Sequence, residues 1–106
     1  MKTGIELITE ERQRQIEKEG WTPKHDTKHI NEEIAFAAVC YAAPSNSLKF
    51  RPKSFFSDGE FRIPELWPWD DKWWKPAPDA EKESRIRELQ KAGALIAAEI
   101  DRLMPK

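Results

Sequence analysis

The chain has 106 residues and a mass of 12.4 kDa, enough for one small domain spanning 1–106 and too little for a second core. Lys plus Arg number 18 against 19 Asp plus Glu, and a formal net charge of −1 excludes a general polyanion binder, so no nucleic-acid partner is expected. No apolar run approaches the ~20 residues that cross a bilayer, Met1–Glu6 lacks a signal-peptide core, and the single cysteine, Cys40, excludes an intrachain disulfide. A cytoplasmic protein with no membrane partner is the expectation.

The first predicted element is a helix. Thr3-Gly4-Ile5-Glu6 has the form of a capping box, a hydroxyl followed three residues on by a carboxylate. Ile5, Ile8, Arg12 and Ile16 fall on one stripe, with Glu10, Glu11, Arg14, Glu17 and Lys18 opposite. Gly20 supplies a stop that takes positive φ at little cost, and Trp21-Thr22-Pro23 does not continue the helix. A polar connector, 24–30, follows. Asn31 reads as the next cap, with Glu32 and Glu33 in a first turn that favours negative charge. Ile34 to Ala43 is apolar nearly all round, which predicts a central helix that Pro44 ends.

Residues 45–78 form a Pro- and Trp-rich insertion. Ser54–Phe56 and Glu60–Ile63 flank Ser57-Asp58-Gly59, the signature of a small β-hairpin. The Pro spacing between Pro64 and Pro76 forbids a long regular element. Trp73 and Trp74 are adjacent, so one of them is expected to point outward. A final helix runs from Pro78-Asp79 to about Leu103. Ile86, Leu89, Gly93, Ile96, Ile100 and Leu103 alternate steps of three and four, a seam pattern. Gly93 inside a helix costs ~1 kcal/mol relative to Ala, which argues for a close packing contact there. The expected fold is mainly α: three helices, a small hairpin and a Trp/Pro-rich loop, completed by oligomerisation.

Three groups could carry chemistry. His25, Asp26, His29 and Glu33 mix imidazole and carboxylate, suited to a divalent metal or acid–base work; the plainer reading is a set of solvated helix-start charges. Glu88 and Glu99 are three turns apart on one helix face and could meet Glu32 or Glu33 across a cleft, where Mg²⁺ would accept them; the plainer reading pairs them with Arg85, Arg102 or Lys91. Trp21, Trp67, Trp69, Trp73 and Trp74 offer faces on which nucleobases stack, and most of them are also what a small core needs for cover. No Walker, dinucleotide-binding or nucleophile-elbow motif is present, and Cys40 lies in an apolar helix.

Glu11-Arg12-Gln13-Arg14-Gln15, then Gly20-Trp21 and His25-Asp26, resembles the opening of small phage and prophage proteins grouped as MazG-like. Asn31-Glu32-Glu33-Ile34-Ala35 resembles their acidic helix start, and Arg87 to Leu103 resembles their closing helix. The resemblance leaves out 45–66. It implies an all-α fold, an oligomer and, among active members, Mg²⁺-dependent nucleoside triphosphate pyrophosphohydrolysis. Their metal motif is E-E-x-x-E followed by E-x-x-D. Here Glu32, Glu33 and Glu88 match, while Phe36 and Lys91 stand where two ligands would be. A lysine among Mg²⁺ ligands opposes the ion, whereas in a nucleotide pocket it meets phosphate.

Three functions follow. The first is a phage-type nucleotide-binding protein without normal Mg²⁺-dependent hydrolysis, which sequesters a nucleotide or nucleotide-derived signal in the host cytoplasm. Arg12, Trp21, His25, Trp73 and Lys91 would form its site. The second is a Mg²⁺-dependent pyrophosphohydrolase using Glu32, Glu33 and Glu88 as metal ligands. The third is a non-enzymatic, dimeric partner-binding adaptor that uses the final-helix seam.

Overall fold

The computed structural model describes residues 1–28, 31–51 and 62–104. The described chain is mainly helical, with four α-helices among the described residues: α1 (Gly4–Glu19), α2 (Pro23–Asp26), α3 (Glu33–Ala42) and α4 (Lys82–Leu103). No helix among them is long and apolar enough to cross a membrane.

Local chemistry sets the boundaries of α1. The Thr3 hydroxyl accepts from the Glu6 amide at 3.2 Å, and the Glu6 carboxylate accepts from the Thr3 amide at 3.2 Å, closing the capping box. Gly20 ends the helix at φ 71, and its amide donates back to the Gln15 carbonyl. Where a plain connector is expected, Pro23 instead opens the single turn of α2. Thr22 is its cap and Pro occupies a first-turn position that needs no amide proton. The start of α3 also differs from expectation. Its cap is Glu32, not Asn31, and Glu32 stands at φ 60 without a side-chain cap bond.

α4 is the element on which the others assemble, packing against α1, α2 and α3. α3 runs antiparallel to it. The Arg85 guanidinium, near the start of α4, donates to the carbonyls of Tyr41, Ala42 and Ala43 at the end of α3. Near the end of α4, Arg102 is held in its charged form chiefly by its bond to Glu99, with Glu32 and Glu33 of the α3 start adding to this. The core between them gathers Ile34, Ala37, Ala38, Cys40 and Tyr41 with Ala92, Leu95 and Ala98. Trp67 and Trp74 cover it from the insertion, at 2% and 7% exposure.

α1 meets another face of α4. Gly93 lies there, and a β-carbon added to it would stand 2.5 Å from the Ile8 Cδ1, so glycine is what lets the two helices approach. The inward residues of α1 are not its apolar stripe. Glu11 and Gln15 are buried, Ile8, Arg12 and Ile16 are half-buried, and Ile5 is exposed. Periodicity puts Glu11 outside; pairing with Arg14 and Arg87 is what permits it inside.

The seam of α4 likewise faces out: Ile86, Leu89, Ile96, Ile100 and Leu103 are each 41–62% exposed. The buried α4 residues are Ala92, Ala94, Leu95, Ala98 and Glu99, one step round the helix. In the insertion, Phe50 and Pro64 form an antiparallel bridge, flanked by bonds from the Arg51 amide to the Ile63 carbonyl (2.8 Å) and from the Glu65 amide to the Lys49 carbonyl (2.9 Å). Nearly all of the expected hairpin lies outside the described residues. A short 3₁₀ turn, Asp71–Trp73, is capped by Asp70, which accepts from the Lys72 amide.

Candidate functional site: a tryptophan-walled cavity

A cavity of about 350 Å³ opens between the α1 end, α2, the tryptophan loop and the pocket-facing side of α4. This is the size range of small-molecule sites. Its floor is Ile34, Leu95 and Ala98, and its walls include Trp21, Trp69 and Trp73. Polar groups enter from Arg12, Glu19, His25, Asp26 and Asp70.

Each wall has a local cause. The Arg12 guanidinium donates to the Trp21 carbonyl at 3.0 Å and to the Asp26 carboxylate at 3.1 Å, so one arginine of α1 ties down both the connector and α2. Asp26 is 4% exposed, and it is tolerated because it is paired. Arg12 Nε is buried with no hydrogen-bond partner. Arg12 therefore acts first as the residue that positions Trp21. Trp21 leans on Trp69 at 5.9 Å between centroids, and Trp69 meets Trp67 edge-on at 5.5 Å. Trp67 packs on Trp74 (5.0 Å), and Trp74 packs on Tyr41 (4.8 Å). This chain of rings runs from the cavity wall into the core. Its polar ends are used as well: Trp67 Nε1 donates to the Asp70 carbonyl and Trp74 Nε1 to the Arg62 carbonyl. Burial pushes the Tyr41 hydroxyl up to about 12, so it stays protonated and accepts from the Lys75 amide.

Trp73 is different from its neighbour. It is 41% exposed where Trp74 is buried, and Lys72 and Lys75 sit over its ring at 5.4 and 5.8 Å. A small recess of about 30 Å³ adjoins the cavity and shares Glu19, Trp21, Trp73 and Leu95 with it. Arg14, Lys75 and Lys91 line the recess, together with Glu11 and Gln15. Lys91 donates to the Lys75 carbonyl at 3.0 Å and lies over the Tyr41 ring at 5.4 Å. Burial, and then the nearby Arg87, lowers its pKa. Burial also opposes the charge of Glu11, but bonds from Arg14 and Arg87 outweigh it and hold its pKa below the ordinary carboxylate value.

Of the residues expected to bind nucleotide, Arg12, Trp21, His25 and Trp73 line one cavity, and Lys91 lines the recess beside it. The expected metal ligands do not meet. Glu32 and Glu33 are at the start of α3. Glu88 is at its other end, where it accepts from the Ala77 amide at 3.2 Å and pairs with Arg85. Ten helical residues, roughly 15 Å, separate those ends. Glu99 is paired with Arg102. Among the described residues no group of three or more His, Cys, Asp or Glu is placed to hold a metal ion. His29 lies outside the described residues, and Cys40 is a buried thiol whose pKa burial raises to about 11.

Sequence reasoning missed the floor. Ile34, Leu95 and Ala98 look like any core positions, and only the packing of α3 on α4 opens a hollow above them. Compared with known proteins, the chain matches no family model, and no significant match is found among curated proteins or among solved structures.

Proposed function

We propose that the chain binds a nucleotide or a nucleotide-derived small molecule, with the base in the tryptophan-walled cavity, and sequesters it rather than turning it over. The observation that carries this reading is the convergence of Trp21, Trp69 and Trp73 on one cavity of about 350 Å³ that also receives Arg12, His25 and Asp26. Flat indole faces accept a base, and a few polar groups fix its edge. The charges assign the remaining parts. Glu19, Asp26 and Asp70 line the cavity, so a polyphosphate is disfavoured inside it. Lys72, Lys75 and Lys91 cluster around Trp73 and the recess, so phosphate belongs on that side. The Arg12 guanidinium, already committed to Trp21 and Asp26, organises the wall. A MazG-like ancestry fits this reading, with the metal set lost and the pocket kept.

Calorimetry against a panel of nucleosides and nucleotides, with and without Mg²⁺, tests it. Binding of at least one nucleotide is expected without Mg²⁺. Trp73→Ala should weaken that binding about 5- to 150-fold, matching ~1–3 kcal/mol per stacked base. Lys75→Ala should weaken nucleotides and leave nucleosides unchanged. Silence across the whole panel would overturn the proposal.

A further inference from the structure

Resting on the reading of a nucleotide base in the tryptophan-walled cavity, we propose that the cavity selects a base with a delocalised positive charge, such as an N-alkylated adenine or cytosine, and that Asp70 is its counter-charge. Among the charged side chains that line the cavity, Glu19, Asp26 and Asp70 outnumber Arg12, with His25 beside them. Arg12 and Asp26 pair at 3.1 Å and cancel. Glu19 pairs at 3.1 Å with Arg14, which lines the recess. Asp70 is then the lining carboxylate without an ion pair among the described residues. Its Oδ1 accepts from the Lys72 amide at 3.1 Å, which leaves its charge for a ligand.

The aromatic walls favour the same ligand. An indole ring has a negative face, and tryptophan is the best ring partner for a cation. Lys72 and Lys75 already stand over Trp73, at 5.4 and 5.8 Å. Among the described residues no lysine or arginine stands over Trp21. The charged edge of the base therefore belongs against Trp21, with the sugar and phosphate towards Trp73 and the recess. Arg12 holds the Trp21 backbone in place, and Trp69 backs the Trp21 ring at 5.9 Å, tilted by 52°, so the two rings make a corner. A compact ammonium suits this site less well. The floor of Ile34, Leu95 and Ala98 has no side-chain group to replace the water such an ion would lose. A charge spread over a flat group is more weakly hydrated, as a guanidinium is beside an ammonium, and it can cover floor and wall together.

Isomeric nucleosides that differ in charge supply the test. At neutral pH 1-methyladenosine and 3-methylcytidine are cations, whereas their isomers N6-methyladenosine and 5-methylcytidine are neutral. Calorimetry on the full chain should show the cation of at least one pair binding about tenfold more tightly than its isomer. Asp70→Asn keeps an oxygen for the Lys72 amide and should cost the cation about threefold more affinity than it costs the isomer. If that variant loses its helical circular dichroism, the wild-type comparison decides alone. Equal affinities within both pairs would overturn the proposal and leave nucleotide binding standing. So would silence from all four nucleosides beside binding of an unmodified nucleotide, whereas silence from every nucleotide as well would remove both readings. A folded Asp70→Asn chain with undiminished preference, or choline bound as tightly as the cationic nucleoside, would also overturn it.

Discussion

α3 and α1 both lie on α4, and they hold it by different means. The α3 contact is built from small and apolar residues: Ile34, Ala37 and Ala38 against Ala92, Leu95 and Ala98, under Trp67 and Trp74. The α1 contact is built around charge. Glu11, 2% exposed, takes bonds from Arg14, Arg87 and Gln15, and Gln90 donates to the Leu7 carbonyl at 3.0 Å. The first contact draws on the hydrophobic effect, which is non-directional and indifferent to pH. The second depends on fixed geometry and on one carboxylate staying ionised. The cavity sits where the two kinds of contact meet, with its floor from the α3 side and Arg12 from the α1 side.

The sharpest way to break the comparison is on the apolar side. Trp67→Ala should destabilise the chain by about 3–5 kcal/mol, because Tyr41, Trp69 and Trp74 all lean on that ring. Urea titration at two pH values checks it, and the loss should be the same at both. Next comes Glu11→Gln, expected to cost about 2 kcal/mol at neutral pH by leaving Arg14 and Arg87 without their anion.

The pH dependence sharpens the contrast. The folded-state pKa of Glu11 is depressed, so its contribution is full above the unfolded value of about 4.3 and is lost as pH falls through the folded value. Amide protection, taken relative to intrinsic exchange at each pH, should therefore fall in α1 before α3 on acidification, and Glu11→Gln should abolish that order. The smallest effect is at the Ile8 contact. Gly93→Ala gains helix propensity but collides with Ile8, for a net cost of about 1 kcal/mol. Adding Ile8→Ala should remove the collision, so a thermal-melt double-mutant cycle should show coupling.

Helix ends were legible because they rest on single residues with strong local preferences. Thr3 with Glu6, Gly20 and Pro44 each mark a boundary where the structure has one. Gly93 was legible as a close approach, because a mid-helix glycine needs a reason. The choice between Trp73 and Trp74 was open in the sequence, and the 3₁₀ turn decides it by turning Trp73 outward. Of the cavity, Arg12, Trp21 and His25 are suggested by residue type together with the resemblance of the first helix and connector, and one tryptophan of the loop by its aromatic face. Ile34, Leu95 and Ala98 could not be named, since nothing separates a cavity floor from a core position before the helices are placed.

Apolar periodicity finds a stripe on α1 and another on α4 without saying which face is buried within the chain: α1 turns Glu11 inward beside its stripe, and α4 buries Ala92, Ala94, Leu95 and Ala98 and leaves its seam exposed. Periodicity ranks faces by hydrophobicity and has no term for a carboxylate that brings its own partners, or for alanines that win the interior by letting backbones approach.

The Arg85 clamp has a consequence for how this molecule could vary. By gripping the last carbonyls of α3 while Glu88 holds the Ala77 amide, the start of α4 fixes both feet of the intervening arch. Between those feet, Trp67 and Trp74 are tied to the helices by the core they cover, whereas Trp69 and Trp73 face the cavity. New ligand preferences could thus arise by exchanging Trp69 or Trp73 while Trp67 and Trp74 keep the helical chassis as it stands.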